Sequence, residues 1–162
     1  MKKTSKTRKK TKRGKKAYEK GADLEKRVAS WLKRQFGYKC KKRDLARGKI
    51  VKRPYEVDIH ALKESFWFGQ TDLWVESKAY RLKRTHVTKL VESARDVRDA
   101  HEAEIEEWHP SMLMLVSNKG FDIDALGMAN KYRIYCVKAG RSFEFIGDMN
   151  REDFDNKEES GY

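Results

Sequence analysis

The chain has 162 residues, of which 38 are Lys or Arg and 25 are Asp or Glu, for a net charge of +13. That length suits one domain with a real core, and so large a surplus of cations points to a polyanionic partner, most simply nucleic acid. No apolar run reaches the ~18 residues of a membrane span, and no apolar stretch follows the basic N-terminal residues as it would in a secretory signal.

Residues 1–16 hold ten Lys or Arg and no acid, and beyond Met1 nothing apolar except the methyl groups of threonine. Such a segment is expected to be disordered when free, with Lys9, Lys10 and Arg13 contacting phosphates through counterion release. A solubilising or targeting tail is the alternative. From Gly21 to Phe36, Leu24, Val28, Trp31, Leu32 and Phe36 recur at helical spacing, and Gly37 is placed to end the helix. Tyr38 to Leu45 reads as a strand, 46–48 as a turn, and Ile50 to Leu62 as a long strand with Pro54 marking an edge or a bulge. Lys63 to Gln70 reads as a loop bearing Phe66, Trp67 and Phe68, an aromatic cluster fit for a dimer contact, a wedge against bases or a cover over the core. Thr71 to Ala79 is the next strand.

Between His86 and Trp108 an apolar stripe of helical period begins at Val87 and ends at Ile105. Ser111 to Val116 is a continuous apolar run, as in a strand covered on both faces. A short helix at 122–131, a strand at 133–137 and a last short strand at 143–146 follow, and the acidic tail from residue 148 looks frayed. The expected fold class is α/β: a meander and then βαβ crossovers, giving a mixed sheet with helices on both faces. The expected division is a basic arm at 1–16, a folded domain at 17–147 and a flexible acidic tail at 148–162. Cys40 and Cys136 are too far apart for a metal knuckle and read as two reduced, buried thiols of a cytoplasmic protein.

Two strand segments carry the chemistry. In 55–61, period-2 geometry puts Val57, Ile59 and Ala61 on one face and Glu56, Asp58 and His60 on the other. In 73–79 it puts Trp74, Glu76 and Lys78 opposite Leu73, Val75 and Ser77. If the strands pair, two carboxylates and an ammonium leave one sheet face together. Such a set can hold a divalent cation beside a proton-transfer group, which phosphodiester hydrolysis requires. Glu25 sits at the border of the buried stripe on the first helix. An ordinary solvated strand face is the plainer reading of Glu-x-Lys alone.

This combination resembles the PD-(D/E)xK nuclease superfamily, the restriction-endonuclease-like fold, over about residues 21–137. Gly21-Ala-Asp-Leu-Glu25 is similar to the first helix and its acid, Val57-Asp58 stands where the family has Pro-Asp, and Glu76-Ser-Lys78 matches (D/E)xK. Residues 120–126 with 129–135 look like the helix and strand that close Mrr-type restriction endonuclease domains, and archaeal Holliday junction resolvases are the nearest rival subfamily. The resemblance implies a Mg²⁺- or Mn²⁺-dependent endodeoxyribonuclease acting on duplex or branched DNA, with a homodimer as the way to cut both strands. It implies Asp58, Glu76 and the Ser77 carbonyl as metal ligands, and Lys78 as the residue that positions or deprotonates the attacking water. Glu25 would complete a second site or orient a water. Lys83 and Arg84 are expected on the DNA backbone. The cell compartment would be the cytoplasm, with the nucleoid, or the nucleus in a eukaryote. Structure-specific nuclease action and non-catalytic nucleic-acid binding are the alternatives.

Overall fold

One long amphipathic helix sets the frame. α1 spans Thr4–Phe36, and its C-terminal half buries Leu24, Val28, Trp31, Leu32 and Phe36 against a sheet. It stops at Gly37, whose φ of +74° reverses the chain, while the Gly37 amide bonds the Lys33 carbonyl. The computed structural model describes residues 4–67 and 69–155, with side chains from Arg13 onward. The first helix was expected only from Gly21, behind a disordered arm. Its backbone is instead helical from Thr4. Lys, Arg and Ala are good helix formers, no Pro interrupts, and a docked helix extends backwards without a new nucleation cost. Residues 1–3 lie outside the described residues.

Six strands follow in one sheet whose spatial order is the chain order: β1 (Lys39–Ala46), β2 (Tyr55–Ser65), β3 (Gly69–Lys78), β4 (Met112–Ser117), β5 (Tyr135–Ala139) and β6 (Phe143–Ile146). β1, β2 and β3 form an antiparallel meander, β3–β4 and β4–β5 are parallel, and β6 returns antiparallel. The parallel steps are bridged by α2 (Arg84–Glu102) and α3 (Ile123–Lys131). The mixed α/β sheet with helices on both faces is therefore observed. α1 covers one face with Ile59, Val75, Met114 and Val137, and α2 with α3 covers the other with Trp74, Leu113, Leu115 and Cys136. β4 is buried at all six positions, as its unbroken apolar run requires.

Four local expectations change. Residues 50–54 are irregular rather than strand, and β2 begins just after Pro54, which lacks an amide for the ladder. The 63–70 loop is a hairpin whose arms pair up to Ser65↔Gly69. Its tip exposes Phe66 at 93 % and Trp67 at 81 %, and Phe68 lies outside the described residues. α2 ends at Glu102 rather than near Trp108, and Ile105 is exposed. The tail is not frayed as far as residue 155: α4 (Arg151–Asp155) buries Phe154, and Met149 is buried before it. Residues 156–162 lie outside the described residues. Both cysteines are free thiols, Cys136 buried and Cys40 half-buried. Burial raises their pKa values to about 12 and, for Cys40, to about 11. Among the described residues no helix is long and apolar enough to cross a membrane.

Candidate active site

The strand ladder fails where the chemistry sits. β2 and β3 pair from Ser65↔Gly69 to Ile59↔Val75 and no further. Beyond that point the Ser77 amide donates to Asp58 Oδ2 at 2.9 Å, a carboxylate taking the place of a ladder carbonyl. The Arg43↔Asp58 step is missing from the β1–β2 register, and Arg43 has φ +54°, a left-handed conformation rare for any residue but glycine. Simple alternation put Val57 with Ile59 and Ala61. Val57 instead packs in the core under α2, while Ile59 and Ala61 pack under α1. The backbone turns over at Asp58, and that rotation aims its side chain at β3.

Asp58, Glu76 and Lys78 converge as expected. Lys78 Nζ lies 3.7 Å from Asp58 Oδ2 and 3.7 Å from Glu76 Oε2. Trp74, two residues earlier on the same face, donates its indole N–H to Glu76 Oε1 at 2.8 Å. Asp58 is only 8 % exposed. Burial and then the Asp58 carboxylate push the Glu76 carboxyl up to about 8, against the opposing pull of Trp74 and Lys78. Burial lowers the Lys78 pKa, but Asp58 and Glu76 outweigh it and the net direction is up. The ammonium is therefore firmly charged. The three groups line a cleft of about 920 Å³ with Arg53, Tyr55 and Lys89.

Glu25 reaches the edge of this cluster from α1 but is turned to Arg43, with Oε2 at 3.5 Å from Nε. Burial and then Asp58 raise its pKa, which Arg43 partly offsets. Arg43 also donates to the Tyr18 hydroxyl. His60, on the expected face, does not serve Asp58. Its ring bridges Asp44 at 2.9 Å and Asp72 at 2.6 Å and stacks on Trp108. Lys83 and Arg84 are exposed at the start of α2, outside the cleft lining, whereas Lys89 lines it. Arg13 is exposed on α1, and the side chains of Lys9 and Lys10 lie outside the described residues. Arg98 is held by the Pro110 carbonyl at 2.9 Å. The aromatic hairpin tip begins at Phe66, eight residues beyond Asp58 and roughly 26 Å away along the strand direction, so it is not a wall of this cleft.

Among the described residues no group of three His, Cys, Asp or Glu is arranged to hold a metal ion. Two carboxylates are nevertheless what a small hard cation asks of a protein, since Mg²⁺ keeps several waters and takes one or two acids. Glu76 is reluctant to ionise because it is buried and, second, because Asp58 crowds it. That is a donor set short of positive charge. In an extended strand a residue's N–H and C=O point the same way, so the Ser77 carbonyl faces the same gap as its amide. The Ser77 hydroxyl, by contrast, is buried without a hydrogen-bond partner. These residues fit a Mg²⁺-like ion and not a three-ligand transition-metal site.

No family model matches the chain, and no curated protein does. The fold is similar to a solved structure, the crystal structure of the protein of unknown function AF1548, with a TM-score of 0.55 at 16 % identity. The match covers 69 % of this chain, which spans about half (54 %) of that one. At that identity the likeness speaks for the fold alone.

Proposed function

We propose that this chain is a metal-dependent endonuclease that hydrolyses DNA phosphodiester bonds, of restriction or defence type. The observation that carries the reading is the meeting of Asp58, Glu76 and Lys78 where β2 and β3 part, inside a cleft edged by cations. Asp58, Glu76 and the Ser77 carbonyl would hold Mg²⁺ or Mn²⁺. Such an ion supplies positive charge to the reacting phosphate and acidifies water. The charged Lys78 ammonium stabilises negative charge building on the phosphate. Its raised pKa speaks against the alternative role of proton acceptor. Trp74 fixes the Glu76 carboxylate in place through one oxygen, leaving the other turned to the cleft. One such centre cuts one strand, so duplex scission calls for two copies or two successive nicks. Acting on DNA, the protein would work in the cytoplasm at the nucleoid, or in the nucleus of a eukaryote.

The test is nicking of supercoiled plasmid, methylated and unmethylated, in Mg²⁺, Mn²⁺ and EDTA. Metal-dependent nicking should fall at least a hundredfold in Glu76→Ala and Lys78→Ala, by analogy with loss of a charge-stabilising group, while DNA binding persists. Nicking that survives both changes rejects this site. Salt-sensitive binding indifferent to metal, with no nicking, would favour a non-catalytic DNA-binding protein. Faster cleavage of a four-way junction than of a linear duplex would favour a recombination or repair role.

A further inference from the structure

We propose that residues 47–54 form a preorganised loop that engages duplex DNA beside the cleft, with Ile50 entering the minor groove and Lys49, Lys52 and Arg53 on the flanking phosphates. This deepens the nuclease reading and rests on it only for the place of the scissile bond. The segment Arg47-Gly-Lys-Ile-Val-Lys-Arg-Pro54 has four cations and no acid. It has no regular secondary structure, yet its backbone is held firmly by one residue of α2. Asp96, 7 % exposed, accepts the amides of Ile50 at 2.8 Å and Val51 at 3.1 Å, and the Tyr55 hydroxyl at 2.8 Å. Its backbone carbonyl takes the Lys49 amide at 3.2 Å, and Glu106 takes the Arg47 amide at 2.6 Å. Gly48 permits the approach, since a Cβ there would lie 2.0 Å from Asp96 Oδ2.

The clamp spends a buried carboxylate to hold apolar side chains in water. Ile50 is 79 % exposed and Val51 44 %. A loop free to relax would fold these residues onto the protein, and this one is tied so that they stay out. Apolar side chains of this kind enter minor-groove steps, and neighbouring Lys and Arg neutralise the adjacent phosphates. Arg47 is committed to Glu106. Lys49, Lys52 and Arg53 are exposed, with no ion pair among the described residues. Arg53 and Pro54 line the same cleft as Asp58 and Glu76, so a strand read by the loop runs onward to the carboxylates. Fixing the loop in advance removes an ordering cost from binding.

The experiment is fluorescence anisotropy of a 20-base-pair DNA duplex across a salt series in EDTA, where no cleavage intervenes. A 2-aminopurine in the duplex reports unstacking. Ile50→Ala should weaken binding at least fivefold, leave the salt slope unchanged and abolish the 2-aminopurine rise. Lys49→Ala and Lys52→Ala should each lower the salt slope by about one. Ile50 is exposed, so thermal melting of Ile50→Ala should match the parent and exclude misfolding. Ile50→Ala binding like the parent with the Lys slopes unchanged would overturn the proposal, as would equal Ile50 dependence on duplex RNA. If the parent never nicks but Ile50→Ala loses binding, the proposed chemistry fails and the loop stands. If nicking holds and Ile50→Ala binds normally, only the loop fails.

Discussion

At the scale of single residues, the site trades stability for charge. The Glu76 pKa near 8 in the folded chain stands above the 4.5 of an unperturbed glutamate, so the fold holds this proton more tightly than the unfolded chain does. Stability contributed by Glu76 is therefore present at low pH and lost as pH rises from 4.5 through about 8. In metal-free protein at pH 8, Glu76→Gln should be more stable than the parent by on the order of 2 kcal/mol in urea unfolding, the gap closing toward pH 5. A parent at least as stable as the variant at pH 8 would contradict the burial of Glu76 beside Asp58. Ser77→Ala separates side chain from backbone. Losing a buried hydroxyl with no partner should leave stability unchanged or raise it by about 1 kcal/mol, and nicking should persist if only the carbonyl serves. Glu76 and Lys78 were legible in the sequence because polar residues alternating with Leu and Val announce a strand face, and Asp58 joins them even though the alternation breaks at Val57. Arg43 and Trp74 were not. Nothing in a string of letters marks an arginine at positive φ, and a tryptophan on that face reads equally well as core.

Among the elements, the meander is cross-braced by His60. One imidazole on β2 joins Asp44 on β1 to Asp72 on β3, and Gln70 steadies Asp72 at 3.0 Å. A neutral ring can donate one of these bonds, a protonated ring both. Burial lowers the His60 pKa, but the bonds to Asp72 and Asp44 outweigh it, so it is raised above 6.5. A raised histidine stabilises fully below its unfolded value and progressively less as pH climbs through the folded one. His60→Gln should thus cost about 2 kcal/mol at pH 6 and less at pH 9, as measured by denaturant midpoints at both values. A constant penalty would mean the ring acts only by stacking on Trp108. Periodicity located most elements here, because each buries a regular stripe. It overran the end of α2 and the start of β2, since Ile105 and Ile50 continue an apolar pattern in residues that the fold leaves exposed.

The whole molecule is two cores on one sheet, and the α1-side core is closed by its last described helix. Phe154 meets Phe36 at 4.7 Å and Tyr135 at 5.1 Å between ring centroids and also packs on Tyr38. An acidic tail gave no hint of this, because a single aromatic among charges carries no period. Phe154→Ala should cost about 3 kcal/mol in equilibrium unfolding; a loss under about 1 kcal/mol would mean α4 is not seated as described. Trp31 of α1 stacks on Phe143 of β6 at 4.5 Å, so α1 meets β2 and β3 soon after it is made but completes its contacts only when β6 arrives. During synthesis Trp31 waits for that partner until more than a hundred further residues have emerged. A stalled ribosome would then hold a cationic, half-apolar helix open to any nearby chaperone or nucleic acid.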